Sequence, residues 1–177
     1  MTSTDIATTS LLDRFLSTDR DRTLLVQRVA LGAIMFPHGA QKLLGWFGGF
    51  GFSGTMGFFT ETMHLPAPIA LLVIVAESLG AIGLVLGAGT RLAALGIAAV
   101  MVGAIFTTHL QFGFFMNWFG AQQGEGIELH LLALALALPL SVRGGGLLSV
   151  DGALAGWLRA GAGAGAGIVA RPQPQPR

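Results

Sequence analysis

The chain contains no cysteine and little charge: only 11% of its 177 residues are Asp, Glu, Lys or Arg. Missing thiols exclude disulfides, thiolate nucleophiles and Cys-ligated metal clusters, so any redox role must use another group. A water-soluble domain of this length carries about 25% charged residues. The net charge of +1 leaves no basic field of the kind that binds nucleic acid. What fills the chain instead is Leu, Ala, Gly and Phe. Hydrophobic residues make up 53%, glycines number 27, and the mean hydropathy is +0.70. That composition suits lipid as the solvent.

Residues 1–22 form a polar segment of mixed charge. A secretory signal would show a basic start, an apolar core and a small-residue cleavage site. This pattern is absent, so the apolar segment that follows is expected to stay as an anchor. Four segments suit helices crossing hydrocarbon, which takes about 20 residues each: Leu24–Leu44, Ala67–Gly87, Leu92–Leu110 and Ile127–Val142. Pro68 fits the first turn of the second helix, where its missing N–H costs nothing. Gly87 to Arg91 reads as a tight hairpin. Ala76 and Gly80, and Ala99, Gly103 and Thr107, recur at the four-residue spacing that lets helices approach closely in lipid. After Val142 comes a short amphipathic piece with Ser149 or Asp151 as a helix cap. Residues 159–177, rich in Gly, Ala and Pro, are expected to be disordered.

Arginines and lysines set the orientation. Arg14, Arg20 and Arg22 precede the first segment, Arg91 lies in the second turn, and Arg143, Arg159, Arg171 and Arg177 follow the fourth. The other two connections contribute only Lys42. The positive-inside bias places both termini in the cytoplasm, in agreement with an even number of spans. The two outward connections, residues 45–66 and 112–120, hold all but four of the fifteen aromatic side chains. They read either as an aromatic belt at the interface or as a glycine-hinged lid over a pocket.

Polar groups at depth need another explanation. "FPHGAQKLLGW", Phe36–Trp46, puts Pro37, His38, Gln41 and Lys42 inside an apolar helix. A charge at mid-bilayer costs about 2.5–3.5 kcal/mol, so such residues pair or face a cavity. Glu77 falls near the middle of its helix; Arg28, about 6 Å inside the cytoplasmic edge at 1.5 Å per residue, is expected to reach towards it. His38 and Lys42 are four apart and share a face. His109 and Glu128 lie at the same level on the third and fourth helices. His130 is about 200° around the helix from Glu128, so at most one of the two is expected to point inward. Pro37 breaks one helical hydrogen bond, which opens a cavity or frees a carbonyl. The rival reading is a polar network that only fixes helix order.

"LLVQRVALGAIMFPHGAQKL", "VAESLGAIGLVLGAGTRLAAL" and "RGGGLLSVDGAL" resemble the DoxX family of small four-helix bacterial membrane proteins. The resemblance covers about residues 22–155 and rests on Arg28, His38-Gly39, Lys42, Glu77, Arg91 and the triple-glycine ending with Ser149 and Asp151. It implies a membrane subunit linked to quinone-dependent redox chemistry, and the missing cysteine argues against any thiol-based version.

The reading is therefore an all-α, integral membrane four-helix bundle with both termini cytoplasmic. A polar N-terminal segment 1–22, a membrane domain 23–158 and a tail 159–177 divide the chain. It is expected as a multi-pass protein of the bacterial inner membrane, a quinone-associated redox subunit with a partner protein or a second copy in the bilayer. Arg28, His38, Lys42, Glu77, His109 and Glu128 are the candidate ligand-binding residues. No metal site is expected, and a haem held by His38, His109 and His130 has no supporting spacing. The rivals are a small proton-coupled transporter using Glu77 and a scaffold that anchors a soluble partner.

Overall fold

In the computed structural model the described residues are 11–169, and they are all-α, without a strand. The helices are α1 (Leu11–Leu16), α2 (Arg22–Leu44), α3 (Gly51–Gly57), α4 (Ala67–Leu86), α5 (Thr90–Ala104), α6 (Glu128–Arg143) and α7 (Val150–Val169). α3 runs on into a wide π-helical turn at Phe58–Thr62, and α5 into another at Ile105–His109.

Local chemistry sets the ends. The Asp21 side chain accepts from the Thr23 N–H at 2.7 Å and caps α2. Gly45, with φ +74°, closes the other end by returning its N–H to the Ala40 carbonyl. Gly87 and Gly89, with φ +69° and +60°, make the hairpin between α4 and α5.

α2, α4, α5 and α6 share one core of Leu24, Leu31, Met35, Ala81, Leu84, Ala94, Ile97, Ala98, Met101, Ala133, Ala137 and Leu140. They close a ring in which α2 touches α4 and α6, and α5 touches the same two. The outward faces carry Val26 and Ile34 on α2, Leu72 and Leu79 on α4, Leu92 and Leu95 on α5, and Leu132 and Leu138 on α6, all exposed. Arg28, Glu77, Ser78 and Thr90 are buried. Among the described residues two helices are long and apolar enough to cross a membrane, Ala67–Leu86 and Thr90–Phe112. α2 has the length but is interrupted by Gln27, Arg28, His38, Gln41 and Lys42, and α6 has 16 residues.

Close helix approach uses glycines other than the expected ones. Gly32 lies against Ala81 and Val85, and Gly39 against the Glu77–Ser78 backbone, so a Cβ at Gly39 would meet the Ser78 Cα at 2.6 Å. Gly96 packs at Ala76, and Gly80 at Ala93, which agrees with the small-residue reading of α4. The α5 stripe does not: Ala99, Gly103 and Thr107 are exposed. The Thr107 hydroxyl instead donates to its own helix, at the Gly103 carbonyl, 2.8 Å away. α7 continues to Val169, into the stretch expected to be disordered. The rest of that tail, residues 170–177, lies outside the described residues.

Candidate functional site

The polar side chains sort into two groups at opposite ends of the core. At the end where Arg28, Arg91 and Arg143 gather, the arginine end, Arg28 is 1% exposed. Its Nε donates to the Gly145 carbonyl at 2.7 Å. Nη1 donates to Leu84 and Val85 at 2.9 and 2.5 Å, and Nη2 to Leu147 and Leu148 at 3.1 and 2.7 Å. All five donors of a guanidinium are thus satisfied by carbonyls.

This corrects the sequence expectation that Arg28 reaches Glu77. The carbonyls freed at the C-terminus of α4, which carry the negative end of its dipole, and those of the 145–148 turn are nearer. Arg28 is a latch, with no donor left over for a ligand.

Asp151 completes the latch. Its two carboxylate oxygens accept from the Gly89 and Thr90 N–H groups at 2.7 and 2.8 Å, so a residue of α7 caps α5. Ser149 caps α7 itself, accepting from Gly152 at 3.1 Å. A Cβ at Gly87 would meet Ser149 and the Arg28 guanidinium, which is why glycine stands there. Arg91 donates to the carbonyls of Ser141, Val142 and Ser17. At the surface Arg143 bridges Asp19 and Asp21 at 2.7 and 3.0 Å. The Thr23 backbone N–H, with help from Arg143, holds the Asp21 carboxyl below its ordinary range.

The second group lies towards the other end, where the aromatic segments are. Lys42 Nζ and Glu77 Oε2 form an ion pair at 2.5 Å, with the side chains 24% and 6% exposed. Gly39 brings α2 and α4 together here, and the Ser78 hydroxyl donates to the Gly39 carbonyl at 3.1 Å. Lysine has three N–H donors, so two remain beyond the one on Glu77. His38, half-buried, lies within electrostatic reach of both charges. The carbonyl that Pro37 leaves without its helical donor belongs to Ala33, an exposed residue. At 3.6 residues per turn it lies about 140° around α2 from His38 and about 180° from Lys42, so it is turned away from these groups.

Across the core, the His109 and His130 rings are in tilted contact, centroids 4.1 Å apart. His109 Nδ1 meets the Glu125 carbonyl at 2.8 Å, so that nitrogen carries the proton. His130 is half-buried, and its ring lies within electrostatic reach of His109 and His38. Glu128 is turned to loop duty: its carboxylate accepts from the Met116 N–H at 3.2 Å, as Glu125 does from Asn117 at 2.6 Å. The 200° offset between Glu128 and His130 is thus resolved in favour of His130. The fold brings His38, Lys42 and Glu77 together as expected, adds His109 through His130, and separates Arg28 and Glu128 from them. The sequence left His130 open against Glu128 and gave Gly39 no packing role, although Gly39 stands inside the polar stretch that raised the question.

The aromatic segments are folded, with every phenyl and indole ring outside α2, α5, α6 and α7 exposed except those of Phe59 and Phe112. Among the described residues no three His, Asp or Glu side chains are grouped to hold a metal ion.

Such a core, with apolar outer faces, an arginine latch and an internal ion pair, defines a small helical membrane-associated protein. The chain belongs to the DoxX family, whose model matches residues 23–110. It is similar to a protein of Bacillus subtilis (strain 168) named "Putative oxidoreductase CatD", with 29% identity over 127 residues, covering 72% of this chain and 83% of that one. No solved structure matches.

Proposed function

We propose that the protein is a multi-pass inner-membrane subunit of a redox system, a four-helix bundle with both termini cytoplasmic, and that quinone is its ligand. Apolar side chains on the outer faces of α2, α4, α5 and α6 support the four spans, since exposed apolar surface of that extent is unfavourable in water. The arginines cluster at one end, which supports the orientation. Cysteine labels at Ser53 and Arg177 then react from opposite sides of the membrane; reaction from the same side refutes the topology.

The observation that carries the site is the Lys42–Glu77 pair, charged and largely buried at a glycine contact between two helices. A quinone head has two carbonyls that need donors and an apolar slot. Lys42, with two N–H groups to spare, and the His38 ring are the donors within this group, and Glu77 is the carboxylate that can hold or release a proton. The name of the Bacillus relative supports a redox setting. Bound quinone supplies the electron-accepting chemistry; the chain's residues bind it, orient it and exclude water. The test is mass spectrometry of lipid extracted from gently purified protein. A quinone recovered near one per chain supports the reading, and none from quinone-containing membranes refutes it.

Glu77, buried on α4, also suits a proton-coupled transporter. That reading requires proton flux in proteoliposomes that disappears in Glu77→Gln.

A further inference from the structure

The aromatic end carries a recess that neither polar group uses. It is an open depression of about 290 Å³ on α3 and the π-helical turn after it, lined by Phe50, Gly54, Gly57, Phe58, Glu61 and Thr62. Phe50, Gly54 and Phe58 are spaced four and four apart, so they share one helical face with the glycine between the rings. The two phenyl rings are near-parallel, at 26°, with centroids 6.4 Å apart. A planar ring between two others needs about 7 Å, twice the ~3.5 Å contact distance, so the Phe50 ring, which is 75% exposed, must turn outward to admit one. Gly57 leaves its floor bare: a Cβ there would meet nothing within 4 Å.

At the edge of the slot stands Glu61, exposed, with no ion pair or hydrogen bond among the described residues. The Lys42 ammonium is held by Glu77. An ionised carboxylate only accepts hydrogen bonds. A quinone carbonyl also only accepts, so a quinone has no favourable contact with Glu61. A hydroquinone differs: its hydroxyls donate, to the Glu61 carboxylate and to the Thr62 hydroxyl oxygen.

We propose that this recess is a second ligand site, which takes the hydroxylated, reduced form of a planar ring ligand: a hydroquinone stacked between Phe50 and Phe58 with a hydroxyl on Glu61. This rests on the quinone reading of the Lys42–Glu77 site and assigns the two forms to two places, the oxidised ring to donors in the core and the reduced ring to an acceptor at the interface.

The test uses the full chain in lipid nanodiscs, with decylubiquinol and decylubiquinone as probes and empty discs as the baseline. Gly57→Leu fills the slot without a backbone clash and replaces a helical glycine by a better helix former, so its thermal midpoint stays at or above wild type. The expected result is a loss of at least tenfold in quinol affinity in Gly57→Leu and in Glu61→Gln, with the quinone isotherm unchanged by either. A quinol isotherm unaltered in both variants overturns the second site. So does displacement of quinol by phosphatidylethanolamine in the discs with the same dependence on Glu61, which gives the slot to a lipid amine. The parent reading fails separately, by a quinone isotherm that Lys42→Met leaves unchanged.

Discussion

Removing Lys42 while leaving Glu77 in place strands a carboxylate with a side chain only 6% exposed. Breaking a fully buried ion pair from one side costs about 3–5 kcal/mol, because the remaining charge keeps its desolvation penalty and loses its partner. Lys42 is 24% exposed and water reaches part of it, so the expected loss in Lys42→Met is smaller, about 2–3 kcal/mol. Glu77→Leu strands the ammonium instead and costs less, since the lysine chain can swing its head towards the interface. With both changes no charge remains to solvate, and the double variant is expected within about 1 kcal/mol of wild type. The coupling is then about 2 kcal/mol. Reversible unfolding in mixed micelles, titrated with sodium dodecyl sulfate, measures all four corners of the cycle. A double variant as unstable as the sum of the two singles would refute the pairing and the burial argument with it.

Three further outcomes follow from the contacts. Arg28→Leu leaves five carbonyl contacts without a donor and is expected to cost about 3–5 kcal/mol; combined with Glu77→Leu it shows coupling below about 0.5 kcal/mol, since the two lie in separate groups. Gly39→Ala drives a methyl into the Glu77–Ser78 backbone and should destabilise by about 1–3 kcal/mol, whereas Gly103→Ala, which meets nothing within 4 Å, should be neutral or slightly stabilising in the same dodecyl sulfate titration. Asp21 is held below its ordinary value of 3.8, first by the Thr23 N–H. Its contribution is therefore complete above that value and lost as pH falls through the lowered one, so Asp21→Asn should flatten the acid limb of a stability–pH profile below about pH 4.

The four core helices were legible because their apolar runs are long and their ends are marked by Pro68, by Gly45 and Gly87, and by arginines. Lys42 and Glu77 were legible because a charge inside such a run has few ways to be satisfied. The partner of Arg28 was not. Intramembrane charge logic favours an opposite charge, but the arginine is satisfied by carbonyls whose convergence depends on how the 145–148 turn folds back, over more than a hundred residues of separation. Asp151 was recognised as a cap, yet of the wrong helix, for the same reason: hydrogen-bonding partners across a tertiary contact leave no periodicity in sequence. Gly103 and Gly39 make the complementary point. Spacing alone marked the first as a packing residue; the close helix contact instead uses the second, whose neighbours are set by the rotation of α2 against α4.

The most direct measurement is quinone binding by the His38→Gln, Lys42→Met double variant beside wild type, with thermal stability recorded on the same samples. The expected result is at least tenfold weaker binding of decylubiquinone by a variant that still unfolds cooperatively, its midpoint lowered by roughly 4–12 °C for the stranded Glu77 carboxylate. Unchanged binding in a well-folded double variant would contradict the account, leaving the polar stretch of α2 as helix-packing chemistry alone.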